Sequence, residues 1–166
     1  VTVYLVRHGI AEDAPPGGDD RARRLTARGK AKMREAAAGL AALGVEPDVI
    51  LTSPLPRAAE TAAIVAKALG GRLEPEPLDA LATGVTAPEV LRALRPFARH
   101  ASVMLVGHEP TLSALAALLL TGSTEGAAFA LRKGGVIALE VEQLLPPRGA
   151  MLVWMLTPRQ LRRLAS

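Results

Sequence analysis

Two short apolar runs in this chain end in histidine. Val1-Thr2-Val3-Tyr4-Leu5-Val6 empties into Arg7-His8-Gly9, and Ser102-Val103-Met104-Leu105-Val106 empties into Gly107-His108-Glu109-Pro110. The first run is β-branched, aromatic or aliphatic with no breaker, which suits a strand buried on both faces of a parallel sheet. In open α/β sheets, ligands bind at the carboxyl ends of the strands. A strand that ends in a cation, an imidazole and a glycine delivers those side chains to that edge. The chain has three histidines, and two of them terminate strands in this way.

The rest of the chain alternates. Ile10 to Asp20 is a loop with Pro15-Pro16-Gly17-Gly18 and no periodicity, expected to be mobile and close to the site. Thr26 reads as the N-cap of a helix whose apolar face is Met33, Ala37, Leu40 and Leu43, stopped by Gly44. A strand follows at Asp48 to Thr52. Ser53-Pro54-Leu55-Pro56 then opens a helix to about Leu69, with proline tolerated in its first turn. Leu73 to Leu78 suggests a strand that Pro75 and Pro77 confine to an edge or break.

Thr86-Ala87-Pro88-Glu89 is a capping box for a helix that ends near Pro96. The helix after the second histidine covers about Thr111 to Thr121, with Leu112, Leu115, Ala116 and Leu119 inward and Gly122 as its stop. Ala127 to Leu131 and Val136 to Val141 flank Lys133-Gly134-Gly135, a hairpin signal. Gly149 to Leu156 reads as a last strand and Pro158 as the start of a basic helix. The pattern predicts an α/β fold: a three-layer α/β sandwich whose central sheet is mostly parallel, with late antiparallel strands. The length of 166 residues and the lack of an interdomain linker favour one domain, 1–166.

Composition narrows the function classes. Cysteine is absent, which excludes disulfides and thiolate metal sites. The longest apolar stretch, Ala114 to Leu120, is too short to span a membrane. A strand that begins at Val1 leaves no room for a signal peptide, so a cytoplasmic location is expected. The net charge is +4, and sixteen of the twenty basic residues are Arg. They are scattered apart from Arg21 to Arg24 and Arg159 to Arg163, and aromatics are 2% of the chain. Both facts argue against nucleic acid and fit attraction toward an anionic, phosphorylated substrate. No HxxxH, DxD, P-loop or Rossmann glycine pattern occurs, so no metal and no cofactor is expected.

Leu5-Val6-Arg7-His8-Gly9 resembles the signature of the histidine phosphatase superfamily, which includes the cofactor-dependent phosphoglycerate mutases. Three further stretches resemble its SixA-type phosphohistidine phosphatases: Arg23-Arg24-Leu25-Thr26-Ala27-Arg28-Gly29, Ser53-Pro54-Leu55-Pro56-Arg57-Ala58-Ala59-Glu60-Thr61-Ala62, and Val106-Gly107-His108-Glu109-Pro110. They stand in the family's order at plausible spacing, and the resemblance covers nearly the whole chain. The resemblance implies a phosphoglycerate mutase-like fold and a core quartet of Arg7, His8, Arg57 and His108.

The chemistry of these residue types agrees. A neutral imidazole at His8 can attack phosphorus in line and form a phosphohistidine that water hydrolyses. Neighbouring cations keep it neutral. Arg7 and Arg57 offer guanidinium forks that match phosphoryl oxygens. Arg57 also falls in the first turn of a helix, where free N–H groups favour an anion, although an exposed surface Arg would read the same way. His108 would donate to the transferring group, and Gly9 would let the backbone pass close to the phosphate. Arg23 matches an Arg of the SixA branch and is either a phosphate contact or a solvated loop residue. Thr26 reads as a cap, and His100 as a surface residue.

The general acid stays open at this stage. In the superfamily, enzymes that cleave esters carry a carboxylic acid after the third strand or directly after the second histidine. Glu109 holds the second place, and Asp79 is the nearest carboxylate to the first. Glu109 is either an acid or a carboxylate favoured by the start of the next helix. The leading reading is a SixA-like phosphatase acting on phosphohistidine in a protein. The alternatives are a phosphatase for small phosphomonoesters with Glu109 as acid, and a catalytically silent module that binds phosphorylated partners. In each case a phosphate or sulfate anion should bind at the site.

Overall fold

The computed structural model describes residues 1–166. Its middle layer is a six-stranded sheet in the order β3-β2-β4-β1-β5-β6. The strands are β1 (Thr2–Arg7), β2 (Val49–Thr52), β3 (Glu76–Pro77), β4 (Ser102–Gly107), β5 (Val136–Gln143) and β6 (Arg148–Leu156). The first four are parallel; β5 is antiparallel to β1, and β6 to β5. The helices are α1 (Ala27–Ala42), α2 (Pro56–Ala68), α3 (Ala87–Ala93), α4 (Thr111–Thr121) and α5 (Pro158–Leu164).

Alternation along the central strands makes the three layers. Val3, Leu5, Leu51 and Leu105 pack with α3 and α4 in one apolar cluster. Val6, Ile50, Met104 and Val106 pack with α1, α2 and α5 in the other. Leu5, Ile50, Leu51, Met104 and Leu105 are completely buried. Each such side chain contributes about 1.5–3 kcal/mol by leaving water. Central strands with both faces covered must be apolar at consecutive positions, as β1 and β4 are.

Local signals set most element ends. Thr26 Oγ1 accepts the Gly29 N–H at 2.9 Å and starts α1. Pro56 is the first residue of α2. Thr86 and Glu89 form the capping box of α3, and Gly122 ends α4 in the left-handed conformation. Thr157 and Gln160 form a second capping box, on α5. β3 shrinks to two exposed residues, because Pro75 and Pro77 have no N–H to give. On α1, Met33, Ala37 and Leu40 are buried as expected, joined by Ala36, but Leu43 lies past the helix end and is 41% exposed.

The hairpin expected at Lys133-Gly134-Gly135 does not form. Ala127 to Leu131 is not a strand. Both edges of β5 are taken, by β1 and by β6, so the hairpin is β5–β6. Gly134 instead adopts a φ of +80°, and its N–H points at the carbonyls of Arg7 and His8, 3.0 Å from each. A glycine pattern that suggested a strand turn is the clamp that closes a loop onto the end of β1.

Candidate active site

Register brings the site together. Arg7 of β1 pairs with Gly107 of β4, and Thr52 of β2 with Val106. The next residues continue this pairing: His8 N–H donates to the Gly107 carbonyl at 3.1 Å, and Ser53 N–H to the Val106 carbonyl at 2.9 Å. Three neighbouring parallel strands therefore end level, at His8, His108 and Ser53. The two imidazole rings lie 5.1 Å apart between centroids, at an angle of 58°.

His8 is buried, and its Nδ1 lies 2.7 Å from the Gly9 carbonyl oxygen. That oxygen can only accept, so Nδ1 carries the proton and the lone pair sits on Nε2. Burial lowers the pKa of His8 to about 4, the charges of Arg57, Arg7 and Lys133 add to this, and the Gly9 bond opposes it. At neutral pH, His8 is an uncharged imidazole with Nε2 available.

Gly9 is itself held. Its N–H donates to Thr61 Oγ1 at 3.1 Å, and Thr61 donates to the Arg57 carbonyl at 2.8 Å. A side chain at Gly9 would meet Leu25 Cδ2 at 3.4 Å and the Gly29 carbonyl at 3.6 Å. Both distances are ordinary van der Waals contacts, with a residue just before α1 and with its first turn. Gly29 is the more restrictive glycine: a Cβ there would fall 2.1 Å from the Ile10 carbonyl oxygen, so α1 crosses the chain just after His8 at backbone contact.

His108 is buried, with Nε2 2.8 Å from Ser53 Oγ. Ser53 Oγ also accepts the Leu55 N–H at 3.2 Å. The serine proton has no acceptor other than His108, so the hydroxyl donates to Nε2 and the ring proton lies on Nδ1. That Nδ1 is buried without a partner. Burial lowers His108 to about 3, helped by His8, Arg57 and Arg23 and opposed by Asp20.

The two arginines of the quartet are fixed by backbone oxygens. Arg7 Nη1 donates to the Leu131 carbonyl at 2.8 Å. Arg57 has a side chain only 3% exposed, donates to the Asp20 carbonyl at 3.0 Å and faces the Asp20 carboxylate at 3.4 Å. Nε of both is buried and unpartnered. Arg23 is neither freely solvated nor loose: its Nε pairs with Asp20 at 2.8 Å and its Nη1 bonds the Glu12 carbonyl at 3.0 Å. Asp20, in a short 3-10 helix over Asp20–Ala22, thus links Arg23 to Arg57.

The carboxylate candidates differ in their surroundings. Glu109 accepts from the Ser113 N–H at 2.9 Å and from the Ser113 hydroxyl, within the first turn of α4. Asp79 is exposed, in a 3-10 helix at Asp79–Leu81. Thr26 is a cap, and His100 stacks on Phe97 with centroids 6.4 Å apart, outside the quartet. Ser53, Thr61 and Asp20 were not singled out by sequence reasoning. The first two lie inside the Arg57 stretch, where their spacing was visible, but nothing marked them as polar groups aimed at His108 and Gly9.

Residues 3–82 match the model of the histidine phosphatase superfamily (branch 1). The protein histidine phosphatase SixA complexed with tungstate has 27% identity and a TM-score of 0.82, covering 97% of this chain and 99% of that one. This chain belongs to the histidine phosphatase superfamily. It is SixA-like within it: a proposed phosphohistidine phosphatase SixA from Agrobacterium tumefaciens has 26% identity and a TM-score of 0.79, covering 95% and 97% of the two chains. An uncharacterised protein from Picosynechococcus sp. is 37% identical over 139 residues, 82% of this chain and 83% of that protein. At 21% identity the fold is shared with a proposed α-ribazole-5′-P phosphatase from Escherichia coli, with a TM-score of 0.73 and coverage of 95% and 96%. A histidine phosphatase fold supports phosphatase activity for this chain.

Proposed function

We propose that this protein hydrolyses phosphohistidine on another protein, through a phosphohistidine intermediate on its own His8. The observation that carries the proposal is the 2.7 Å contact of His8 Nδ1 with the Gly9 carbonyl, which places the ring proton on Nδ1 and leaves the Nε2 lone pair free beside Arg7 and Arg57. In the first step Nε2 attacks phosphorus and the substrate's P–N bond breaks. Its electron pair stays on the leaving imidazole, which leaves already protonated or takes a proton from water. In the second step a water oxygen attacks phosphorus and the pair returns to Nε2. Both water protons leave with the phosphate, as H2PO4−, and His8 keeps its proton on Nδ1.

The surroundings of His8 suit this charge flow. The ring gains positive charge as the N–P bond forms, and the Gly9 oxygen at Nδ1 stabilises it. Arg7 and Arg57 bind the nonbridging oxygens, and His108 Nδ1–H is a further donor for them. An oxyanion gives those buried nitrogens the partners they lack. Tungstate in the SixA relative is such an anion, and phosphate or sulfate should bind here in the same way.

The choice of phosphohistidine rests on the carboxylates. Glu109 is engaged by Ser113, and Asp20 by Arg57 and Arg23. A leaving imidazole needs less help from an acid than an alkoxide does. The second reading, a phosphatase for small phosphomonoesters, draws on Glu109 following His108 directly.

The test is a panel of phosphohistidine protein, phosphoramidate and sugar phosphates compared by kcat/KM, with an alkaline quench to preserve labelled His8. Phosphohistidine protein should be the best substrate. A sugar phosphate turned over more efficiently would favour the second reading. Binding of phosphoprotein without turnover would leave only the silent module.

A further inference from the structure

Arg7 and Glu109, the chain neighbours of the two histidines, line a groove of about 740 Å³ together with α1 and the loop before β5. Lys32 of α1 and Arg132 and Lys133 of the loop line it, together with the apolar surfaces of Ile10 and Phe129. None of these three cations makes an ion pair. Beyond Lys32 and Pro158 a second hollow, of about 320 Å³, adds Arg159 and Arg162. Arg162 reaches Glu35 at 3.5 Å, whereas Arg159 has no carboxylate partner. Four unpaired cations, Lys32, Arg132, Lys133 and Arg159, therefore lead away from the reacting centre.

This surface is not the mixed surface that the composition implies. The chain has sixteen acidic residues against twenty basic ones, yet Glu109 is the single carboxylate lining either hollow, and Ser113 holds it. Glu12 and Asp20, which bond Arg23, Arg24 and Arg57, line neither hollow. A ligand approaching His8 thus meets a field of one sign on one flank. Such a field selects an anionic partner and orients it.

We infer that this groove docks an acidic segment of the phosphorylated protein, with Asp and Glu side chains flanking the phosphohistidine opposite Lys32, Arg132, Lys133 and Arg159. The inference rests on the phosphohistidine reading above and adds the chemistry of the partner surface. Phosphate alone is served by Arg7 and Arg57; the outer cations lie along a groove far larger than one phosphoryl group. Ile10 and Phe129 give the segment apolar contact between its charges.

The experiment uses the full chain and two phosphohistidine peptides, one flanked by Asp and Glu, the other by Lys and Arg, with phosphoramidate as the small substrate. Wild type should prefer the acidic peptide by about 10-fold or more in kcat/KM, and salt raised from about 50 to about 300 mM should erode the preference. The triple variant Lys32→Glu, Arg132→Glu, Arg159→Glu should lose or invert it. Its kcat/KM on phosphoramidate should stay within about twofold of wild type, which also reports correct folding.

Equal rates on the two peptides, or a preference that survives in the triple variant, overturn the groove assignment and leave the phosphohistidine reading standing. A triple variant that folds, by circular dichroism, but loses phosphoramidate turnover to the same extent places these residues at the reacting group and also overturns it. A wild type that cleaves neither peptide while turning over a sugar phosphate or a nucleotide overturns both readings.

Discussion

Ser53 Oγ lies 2.8 Å from Nε2 of His108, and both side chains are buried at the ends of adjacent strands. The serine is thus a positioning residue, since its O–H decides which nitrogen of His108 carries the ring proton. Ser53→Ala removes that proton donor and frees the ring to exchange tautomers. Loss of one buried hydrogen bond is worth ~1–3 kcal/mol. Expressed at the transition state, this is a fall in kcat of about 10- to 100-fold, with KM changed much less. Nitrogen NMR of the imidazoles should show His108 leaving the Nδ1–H form. Unchanged kcat together with an unchanged tautomer would show that the serine has no such role.

The low pKa of His8 has a signed consequence for stability. In the unfolded chain this imidazole takes up a proton near pH 6.5, but in the folded protein only near about 4. Between those values the unfolded state binds more protons, so stability rises with pH. The contribution of His8 is fully present above about pH 6.5 and is lost progressively as pH falls toward 4, on the order of 3 kcal/mol in all. His108, displaced in the same direction, steepens the fall. Urea unfolding at about pH 7 and about pH 4.5 should show a larger loss for wild type than for His8→Gln. Equal losses would mean that His8 titrates alike in both states.

Asp20 stands where it competes with substrate. Its carboxylate faces Arg57 at 3.4 Å and Arg23 at 2.8 Å, so an incoming dianion meets arginines already partly neutralised. Asp20→Asn removes that charge and keeps the backbone carbonyl that Arg57 also uses. Inorganic phosphate should inhibit the variant at a concentration several-fold lower than wild type, measured as a competitive Ki. A weaker Ki would mean that the carboxylate serves mainly to aim Arg57. Chelators should leave both proteins active, because arginine supplies the charge in this mechanism; restoration of lost activity by a divalent ion would contradict it.

The sequence revealed the site better than the loops that complete it. His8 and His108 were legible because each ends an uninterrupted apolar run, and sheet register then made them neighbours. The start of α2 was legible from its prolines, but Arg57 within it read equally as a surface residue until the resemblance of the stretch around it was weighed. The clamp at Gly134 was not, because Lys-Gly-Gly between two apolar stretches is also the pattern of a hairpin; only the occupied edges of β5 exclude it. Asp20 was lost among four acids in a loop without period. The partner of Glu109 was visible four residues on, at Ser113, but a carboxylate at a helix start caps or catalyses with the same sequence. Geometry separates these two roles.

Glu109 is therefore the residue that divides the two enzyme readings. Its carboxylate accepts two hydrogen bonds from Ser113, which suits a helix-start group and ill suits a proton donor to substrate. Expelling an alkoxide without a proton is costly, and a positioned acid is worth about 100- to 10,000-fold on that step. A phosphohistidine loses an imidazole that can leave protonated and gains little. With phosphohistidine as substrate, Glu109→Gln should keep phosphohistidine turnover within a few-fold of wild type, and wild-type activity on alkyl phosphates should be poor from the outset. Glutamine retains a carbonyl to accept from Ser113, so a fold defect is not expected, and a thermal melt checks this. Efficient wild-type hydrolysis of a sugar phosphate that falls by about 100-fold or more in Glu109→Gln, with aryl phosphates spared, would make Glu109 the acid and small phosphomonoesters the substrates.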